Sequence, residues 1–316
     1  MKIIIDADPL VYRVGFASED HSYEVVYEDE SGEMFQEHFH AIPDKTAGVQ
    51  MKEYKDEHPD RKILEKEMIV KPHPLPHALH IAKSSITAMI SDISRQFKSE
   101  DNEVVVLLGS SDNFRDALAT IRPYKDNRDS LTRPYHYQSV RDYLIDNHAA
   151  RIITGREADD EASILAWQCP GPHVVASTDK DLDQIPGWHY NYEKKVFYEV
   201  DKDDGVLYFF QQALSGDATD TIPGCYRIGD VKAKKMVTAW YRECHDPDWQ
   251  SYVWKRIVGE FQRTKDDCPD KVLYKTISAE EAALETARLV FMQQYALQLW
   301  CPPGVPDEML EGGLDD

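Results

Sequence analysis

Long apolar runs are missing from this chain. No hydrophobic stretch reaches the roughly 20 residues needed to cross a bilayer, and the opening Met1-Lys2-Ile3-Ile4-Ile5-Asp6 lacks the charged-then-apolar pattern of a secretory signal. A soluble, cytoplasmic protein is expected. Cysteine is also sparse: Cys169, Cys225, Cys244, Cys268 and Cys301 are scattered, odd in number and nowhere spaced as Cys-x-x-Cys, which argues against a disulfide framework or a zinc-binding cysteine cluster. The third shortage is positive charge. Lys and Arg number 36 against 57 Asp and Glu, a formal net charge of −21, whereas proteins that grip phosphates usually leave a basic footprint. The cations are nonetheless concentrated, with Arg115, Arg122, Lys125, Arg128, Arg133 and Arg141 in the middle and Arg227, Lys232, Lys234 and Lys235 later. Anion binding is therefore expected to be focused and salt-sensitive.

What the chain has in excess is carboxylate, and it is patterned. Four islands recur: Asp6; Glu157, Asp159 and Asp160; Asp179 and Asp181; Asp217 and Asp220. Each adjoins an apolar strand or opens a helix. Asp6 follows Ile3-Ile4-Ile5, Asp179 follows Val174-Val175-Ala176-Ser177-Thr178, and Glu157 to Asp160 begins a helical stretch that runs to Trp167. Ligands of an open parallel sheet collect outside the carboxyl ends of its strands, so these acids can converge. So many anions in one pocket raise each other's pKa unless cations compensate them, and oxygen-only ligands favour Mg²⁺ or Mn²⁺ over zinc.

Strand and helix patterns alternate through the first two thirds, which predicts an α/β fold with a mostly parallel central sheet flanked by helices. Residues 18–76 break that rhythm. Tyr23 to Tyr27 and Met34 to Phe39 alternate around Ser31-Gly32 as a β-hairpin, and Lys45 to Lys66 is dense in charge and poor in core residues, so this stretch reads as an insertion. A helix is expected from about His77 to Phe97, strands at Val104 to Leu108, Ile152-Ile153 and Val174-Val175, and a helix from about Tyr135 to Asn147. Beyond Val206 the pattern turns helical. The expected division is a core over 1–204, including a polar and basic arch or clamp at about 113–133, and a helical C-terminal region over 205–316.

Several segments, in this order, resemble the 5′-nuclease (flap endonuclease, PIN-like) family, and the layout is most similar to the bacteriophage-type 5′-3′ exonucleases. They are Ile4 to Arg13, Pro123-Tyr124-Lys125-Asp126-Asn127-Arg128, Gly155 to Asp160, Ser177 to Asp183, and Gly216 to Gly224 followed by Ile228-Gly229. The insertion and the last residues are not covered. The resemblance implies a helix-three-turn-helix element in the C-terminal region and metal ligation by Asp6, Glu157, Asp159, Asp160, Asp179, Asp181, Asp217 and Asp220, with Asp8 and Asp183 matching less securely. It implies two Mg²⁺ ions, which Mn²⁺ can replace, and a monovalent cation in the helix-three-turn-helix. Two divalent cations roughly 4 Å apart activate water and stabilise the leaving oxygen.

Lys125 and Arg128 fall where the family places a basic gateway at the scissile phosphate. Tyr124 is a candidate for stacking on a terminal base. Gly224, Arg227, Gly229, Lys232, Lys234 and Lys235 suit duplex phosphate binding. One departure stands out, because Arg227 occupies the turn position before Ile228-Gly229 that is usually glycine in the family. The implied activity is 5′-3′ exonuclease or flap endonuclease cleavage of double-stranded or flapped DNA, extending to RNA in RNA–DNA hybrids. A phage setting, with replication or recombination proteins as partners in the host cytoplasm, follows from the resemblance alone. Two rivals stay open: a PIN-type ribonuclease, which lacks the Gly216 to Gly229 element, and a non-catalytic nucleic-acid-binding protein on a decayed nuclease fold.

Overall fold

The computed structural model describes residues 1–42, 45–126, 132–244 and 247–304. The chain opens with β1 (Lys2–Asp6) and α1 (Asp8–Phe16), then runs through β2 (Glu19–Glu28), β3 (Met34–His40), α2 (Ala47–Glu57), β4 (Lys62–Pro72) and the long α3 (Leu75–Phe97). There follow β5 (Glu103–Gly109), α4 (Arg115–Leu118), α5 (Tyr137–His148), β6 (Arg151–Ile153), α6 (Ala158–Trp167), β7 (His173–Ala176) and a 3-10 turn at Asp181–Gln184. The remainder comprises β8 (Gly187–Asn191), β9 (Val196–Val200), α7 (Lys202–Ser215), β10 (Gly216–Asp217), β11 (Ile222–Pro223), α8 (Asp230–Glu243), α9 (Trp249–Asp267) and α10 (Ala279–Val290). The described residues form two compact units. The first takes Met1–Asp8, Met89–Leu131 and the chain from Ala150 onward; the second takes Pro9–Ala88 and Thr132–Ala149.

The first unit is built on a six-stranded sheet in the order β6-β5-β1-β7-β8-β9. β1 is parallel to both neighbours, with Ile5 opposite Val106 on one side and Ala176 on the other. Ile3, Ile4 and Ile5 are all fully buried, as expected for an inner parallel strand covered on both faces. Because β1 and β7 run in the same direction and end abreast, Asp6 and the Ser177-Thr178-Asp179 turn emerge at the same carboxyl edge. On one face, Ala158, Ala162 and Ala166 of α6 pack against Ile4, Val105, Leu107, Ile153 and Val175. Those alanines recur every four residues and so line one side of the helix. α7, α8, α9 and α10 close around a second core that includes Phe210, Val237, Trp254, Phe261 and Ala283.

Two features of this unit differ from the sequence expectation. The hairpin β8–β9 adds two strands, the last antiparallel; its polar positions hide the strand pattern, while Tyr190 stacks on Phe197 with ring centroids 4.3 Å apart. Among the described residues beyond Val206, the helices α7 to α10 are joined by a two-stranded ribbon, where Gly216 pairs with Pro223 and Asp217 with Ile222.

In the second unit the expected hairpin is present as β2 and β3. The charge-dense stretch carries α2 and the start of β4. Thr46 caps α2 by accepting the Val49 N–H at 3.3 Å, and β4 pairs along β2 to complete a sheet in the order β3-β2-β4. Val25, Tyr27, Phe39 and Ala47 form its own small core. The side chains of β4 are mostly exposed, so burial left no alternating imprint on its sequence. Among the described residues no helix is long and apolar enough to cross a membrane.

Candidate active site

The first-strand acid is held from the neighbouring strand β7. Asp6 is 2 % exposed and accepts the Ser177 hydroxyl at 2.7 Å. Ser177 Oγ in turn accepts the Asp179 N–H at 3.0 Å, and Asp179 Oδ1 accepts the Asp181 N–H at 2.9 Å. A single chain of bonds thus links two islands across adjacent parallel strands. Asp181 Oδ1 also accepts Gln212 Nε2 at 2.8 Å and the Tyr208 hydroxyl at 3.3 Å, both from α7. Asp8 Oδ2 accepts the Gly109 N–H at 2.7 Å at the end of β5, and Asp183 accepts the Tyr198 hydroxyl at 2.6 Å.

These acids repel one another. Burial, then the charges of Asp8 and Asp179, push Asp6 up from the usual carboxylate value to about 7. Burial and the charges of Asp179 and Asp217 push Asp181 up to about 7 as well. Asp159 is raised well above its ordinary range by burial and by Asp6, Asp179 and Glu157, and Asp179 is raised by burial and by Asp220 and Asp217. All four islands therefore meet at the range of charge–charge interaction. Among the described residues no three such groups stand together as a ready coordination shell. The donor chemistry nonetheless fits hard divalent cations, since it is oxygen throughout and carries a repulsion that such cations relieve.

Lys125 of the basic middle segment enters this field. Lys125 Nζ pairs with Glu157 Oε1 and lies 3.4 Å from Asp220 Oδ2. Beside it, the Tyr124 hydroxyl is 3.0 Å from both Glu157 Oε2 and Asp220 Oδ2, with its ring against the helical core. The backbone fixes this arrangement: Lys125 N–H donates to the Asp220 carbonyl at 3.0 Å and Thr221 Oγ1 donates to the Pro123 carbonyl at 2.9 Å. Burial alone would raise Glu157, but Arg115 and Lys125 outweigh it and its pKa is lowered. The turn carrying Asp220 closes on itself, with Asp217 Oδ1 accepting the Thr219 N–H at 2.7 Å. Gly216 is indispensable there: its φ is +69°, and a Cβ would lie 2.3 Å from the Ile222 carbonyl oxygen.

The other expected cations separate into buried and exposed groups. Arg115 and Arg141 are 1 % and 7 % exposed, so neither forms part of a phosphate-facing surface, contrary to their grouping with the basic segment. Arg115 clasps Asp160, at 2.5 Å and 3.0 Å to its two oxygens, and stands 3.7 Å from Glu157. Asp160 is fully buried, and Oδ2 also accepts the Glu157 N–H at 3.3 Å. Arg128 lies outside the described residues. Arg227, Lys232, Lys234 and Lys235 are exposed, and so is Gly229, which caps the N-terminus of α8. Gly224 lies beside the ribbon, where a Cβ would fall 2.0 Å from the Ser215 carbonyl carbon. Arg227, at the position where the resemblance expects glycine, adopts a left-handed φ of +61°. A cavity of 370 Å³ lies between α7 and α8, lined by Lys180, Tyr208, Gln212, Asp217, Asp230 and Lys234.

Sequence reasoning missed Ser177, Gln184, Tyr208 and Gln212, and it misread Arg115. A signal was present for Gln212, a polar residue set among Phe209, Phe210, Ala213 and Leu214 on a buried helix face.

The fold and the site together define an α/β protein whose parallel sheet carries a carboxylate-rich centre at its carboxyl edge. No family model matches the chain and no curated protein does. Among solved structures it is similar to the bacteriophage T5 5′-exonuclease with bound divalent zinc ions, at 17 % identity over 92 % of this chain and 89 % of that one, with a TM-score of 0.49. It is also similar to a T5 protein co-crystallised with metal ions, at 17 % identity over 92 % and 88 % of the two chains and a TM-score of 0.47. A T5 flap endonuclease complex with DNA and metal ions is similar at 19 % identity over 65 % of this chain and 90 % of that one, with a TM-score of 0.38.

Proposed function

We propose that this chain is a divalent-metal-dependent 5′ nuclease that hydrolyses phosphodiester bonds in double-stranded or flapped DNA. The observation that carries the proposal is the convergence of the four acidic islands: Lys125 pairs with Glu157 and Asp220, Ser177 and backbone amides link Asp6 to Asp179 and Asp181, and the charges of Asp6, Asp179 and Glu157 push Asp159 up. Asp6, Glu157, Asp159, Asp179, Asp181, Asp217 and Asp220 would hold Mg²⁺ or Mn²⁺, which would supply water activation and charge stabilisation at the leaving oxygen. The remaining work falls to the chain's own groups. Lys125, with Arg128 beside it in sequence, neutralises charge that develops on the transferred phosphate. Tyr124 keeps Glu157 and Asp220 together, and Asp160 holds Arg115 in place. The exposed Arg227, Lys232, Lys234 and Lys235, with the amides at Gly224 and Gly229, suit a grip on duplex phosphates that reads no bases.

The test is digestion of 5′-labelled duplex, flap and RNA–DNA substrates with and without Mg²⁺. Products released from the labelled end only when Mg²⁺ is present are expected. Cleavage confined to single-stranded RNA would favour a PIN-type ribonuclease, and binding without cleavage would favour a non-catalytic protein.

A further inference from the structure

The end of α10 poses a backbone problem whose solution reaches the acidic site. The last carbonyls of a helix have no intrahelical donors, and here Leu289, Val290, Phe291, Met292 and Gln293 are all buried away from water. Side chains from elsewhere in the fold satisfy one backbone group on each of these five consecutive residues. Arg115 Nε donates to the Leu289 carbonyl at 2.7 Å and Arg115 Nη2 to the Phe291 carbonyl at 2.9 Å. Gln184 Nε2 donates to the Val290 carbonyl at 2.7 Å, and Gln184 Oε1 accepts the Met292 N–H at 3.1 Å. Asp160 Oδ1 accepts the Gln293 N–H at 3.2 Å. The guanidinium also suits the negative end of the helix dipole.

The same side chains run outward to two different islands. On one arm Arg115 and Asp160 form the two-point pair described above, with Asp160 on the Glu157 N–H and Arg115 beside the Glu157 carboxylate. On the other arm Gln184 Nε2 donates to Gln212 Oε1 at 2.7 Å, and Gln212 Nε2 donates to Asp181 Oδ1 at 2.8 Å. This network fixes which way the Gln212 amide faces, because its nitrogen must point at the carboxylate. We propose that the buried strap Leu289–Gln293 is a two-armed spacer that sets Glu157 and Asp181 at their working separation, which makes Arg115 and Gln212 positioning residues for divalent-cation binding. The proposal rests on the nuclease reading for its purpose and on the bonded network for its geometry. Groups that orient ligands from behind typically control metal affinity by 10–100-fold.

The experiment measures Mn²⁺ binding by electron paramagnetic resonance on the full chain and on Gln212→Met and Arg115→Lys. Methionine keeps the length of Gln212 and removes both hydrogen bonds; lysine keeps the charge of Arg115 but not its fork. Each variant is expected to bind Mn²⁺ about tenfold more weakly. Half-saturating Mg²⁺ in single-turnover cleavage should rise by the same factor, with the rate largely recovered at high Mg²⁺, while duplex binding in EDTA stays unchanged. Unaltered Mn²⁺ affinity in folded Gln212→Met overturns the spacer; if Arg115→Lys does not fold, Gln212→Met alone decides. A wild-type chain that binds Mn²⁺ but cleaves no nucleic acid overturns the nuclease reading instead, and the variants' Mn²⁺ affinities still decide the spacer.

Discussion

Asp160 and Asp179 are both acids of the same field, yet one faces a guanidinium and the other faces further carboxylates. Removing one partner of a buried ion pair typically costs about 3–5 kcal/mol, because the remaining charge is stranded. Asp160→Asn is therefore expected to lower stability by roughly that amount, whereas Asp179→Asn relieves repulsion and is expected to hold or raise stability while abolishing cleavage. Urea denaturation and Mg²⁺-dependent digestion of both variants check the contrast; equal loss of stability in the two would refute it. The sequence presented these residues as equivalent members of acidic islands. What separates them is Arg115, whose bonds reach partners 45 and 174 residues away, and no local pattern encodes such pairings.

Arg227 presents a different residue-scale balance. A non-glycine residue in the left-handed region costs roughly 1–2 kcal/mol, against about 0.5–1 kcal/mol for the extra chain freedom that glycine surrenders on folding. Arg227→Gly is thus expected to raise stability by roughly 0.5–1 kcal/mol and at the same time to weaken duplex binding, since an exposed cation is lost. Thermal unfolding paired with a DNA-binding titration separates the two effects. A fall in stability would mean that the side chain contributes more than its strain costs.

Elements differed in how openly the sequence declared them. β1 and β7 were legible because burial on both faces leaves an unbroken apolar run, and the long α3 because its apolar residues recur with a helical period. β8 and β9 were not, since an edge hairpin such as Trp188-His189-Tyr190-Asn191 mixes polar and aromatic residues without clean alternation. α8 was legible in its exposed cations, whereas its run on to Glu243 carried no separate signal. Replacing Lys232, Lys234 and Lys235 with Ala is expected to weaken binding to all duplexes about equally. The log–log salt dependence should flatten by roughly 0.9 per lost phosphate contact, near 2.7 for three. Fluorescence anisotropy at several salt concentrations reads this directly, and an unchanged slope would locate the grip elsewhere, with the β2–β3–β4 module as the next place to look.

At the scale of the whole molecule, a net charge of −21 and a knot of buried acids act together against the metal-free fold. Asp6 and Asp181, with pKa values pushed up to about 7, bind protons in the folded chain that the unfolded chain has already released. Between the ordinary carboxylate value near 4 and about 7, the folded state therefore holds more protons, and linkage makes stability fall as pH rises across that window. Above it the penalty is constant. A divalent cation that binds only the folded chain opposes this loss by RT ln(1 + [L]/Kd), about 2.7 kcal/mol at roughly 100 times Kd. In EDTA the chain is expected to melt at a higher temperature at pH 6 than at pH 8. Added Ca²⁺ should raise the melting temperature more at pH 8, where the carboxylates are ionised and bind it without releasing protons. Matched ionic strength in NaCl controls for general screening of the net charge. A Ca²⁺ shift no larger than that control at pH 8 would mean that these acids do not hold a cation.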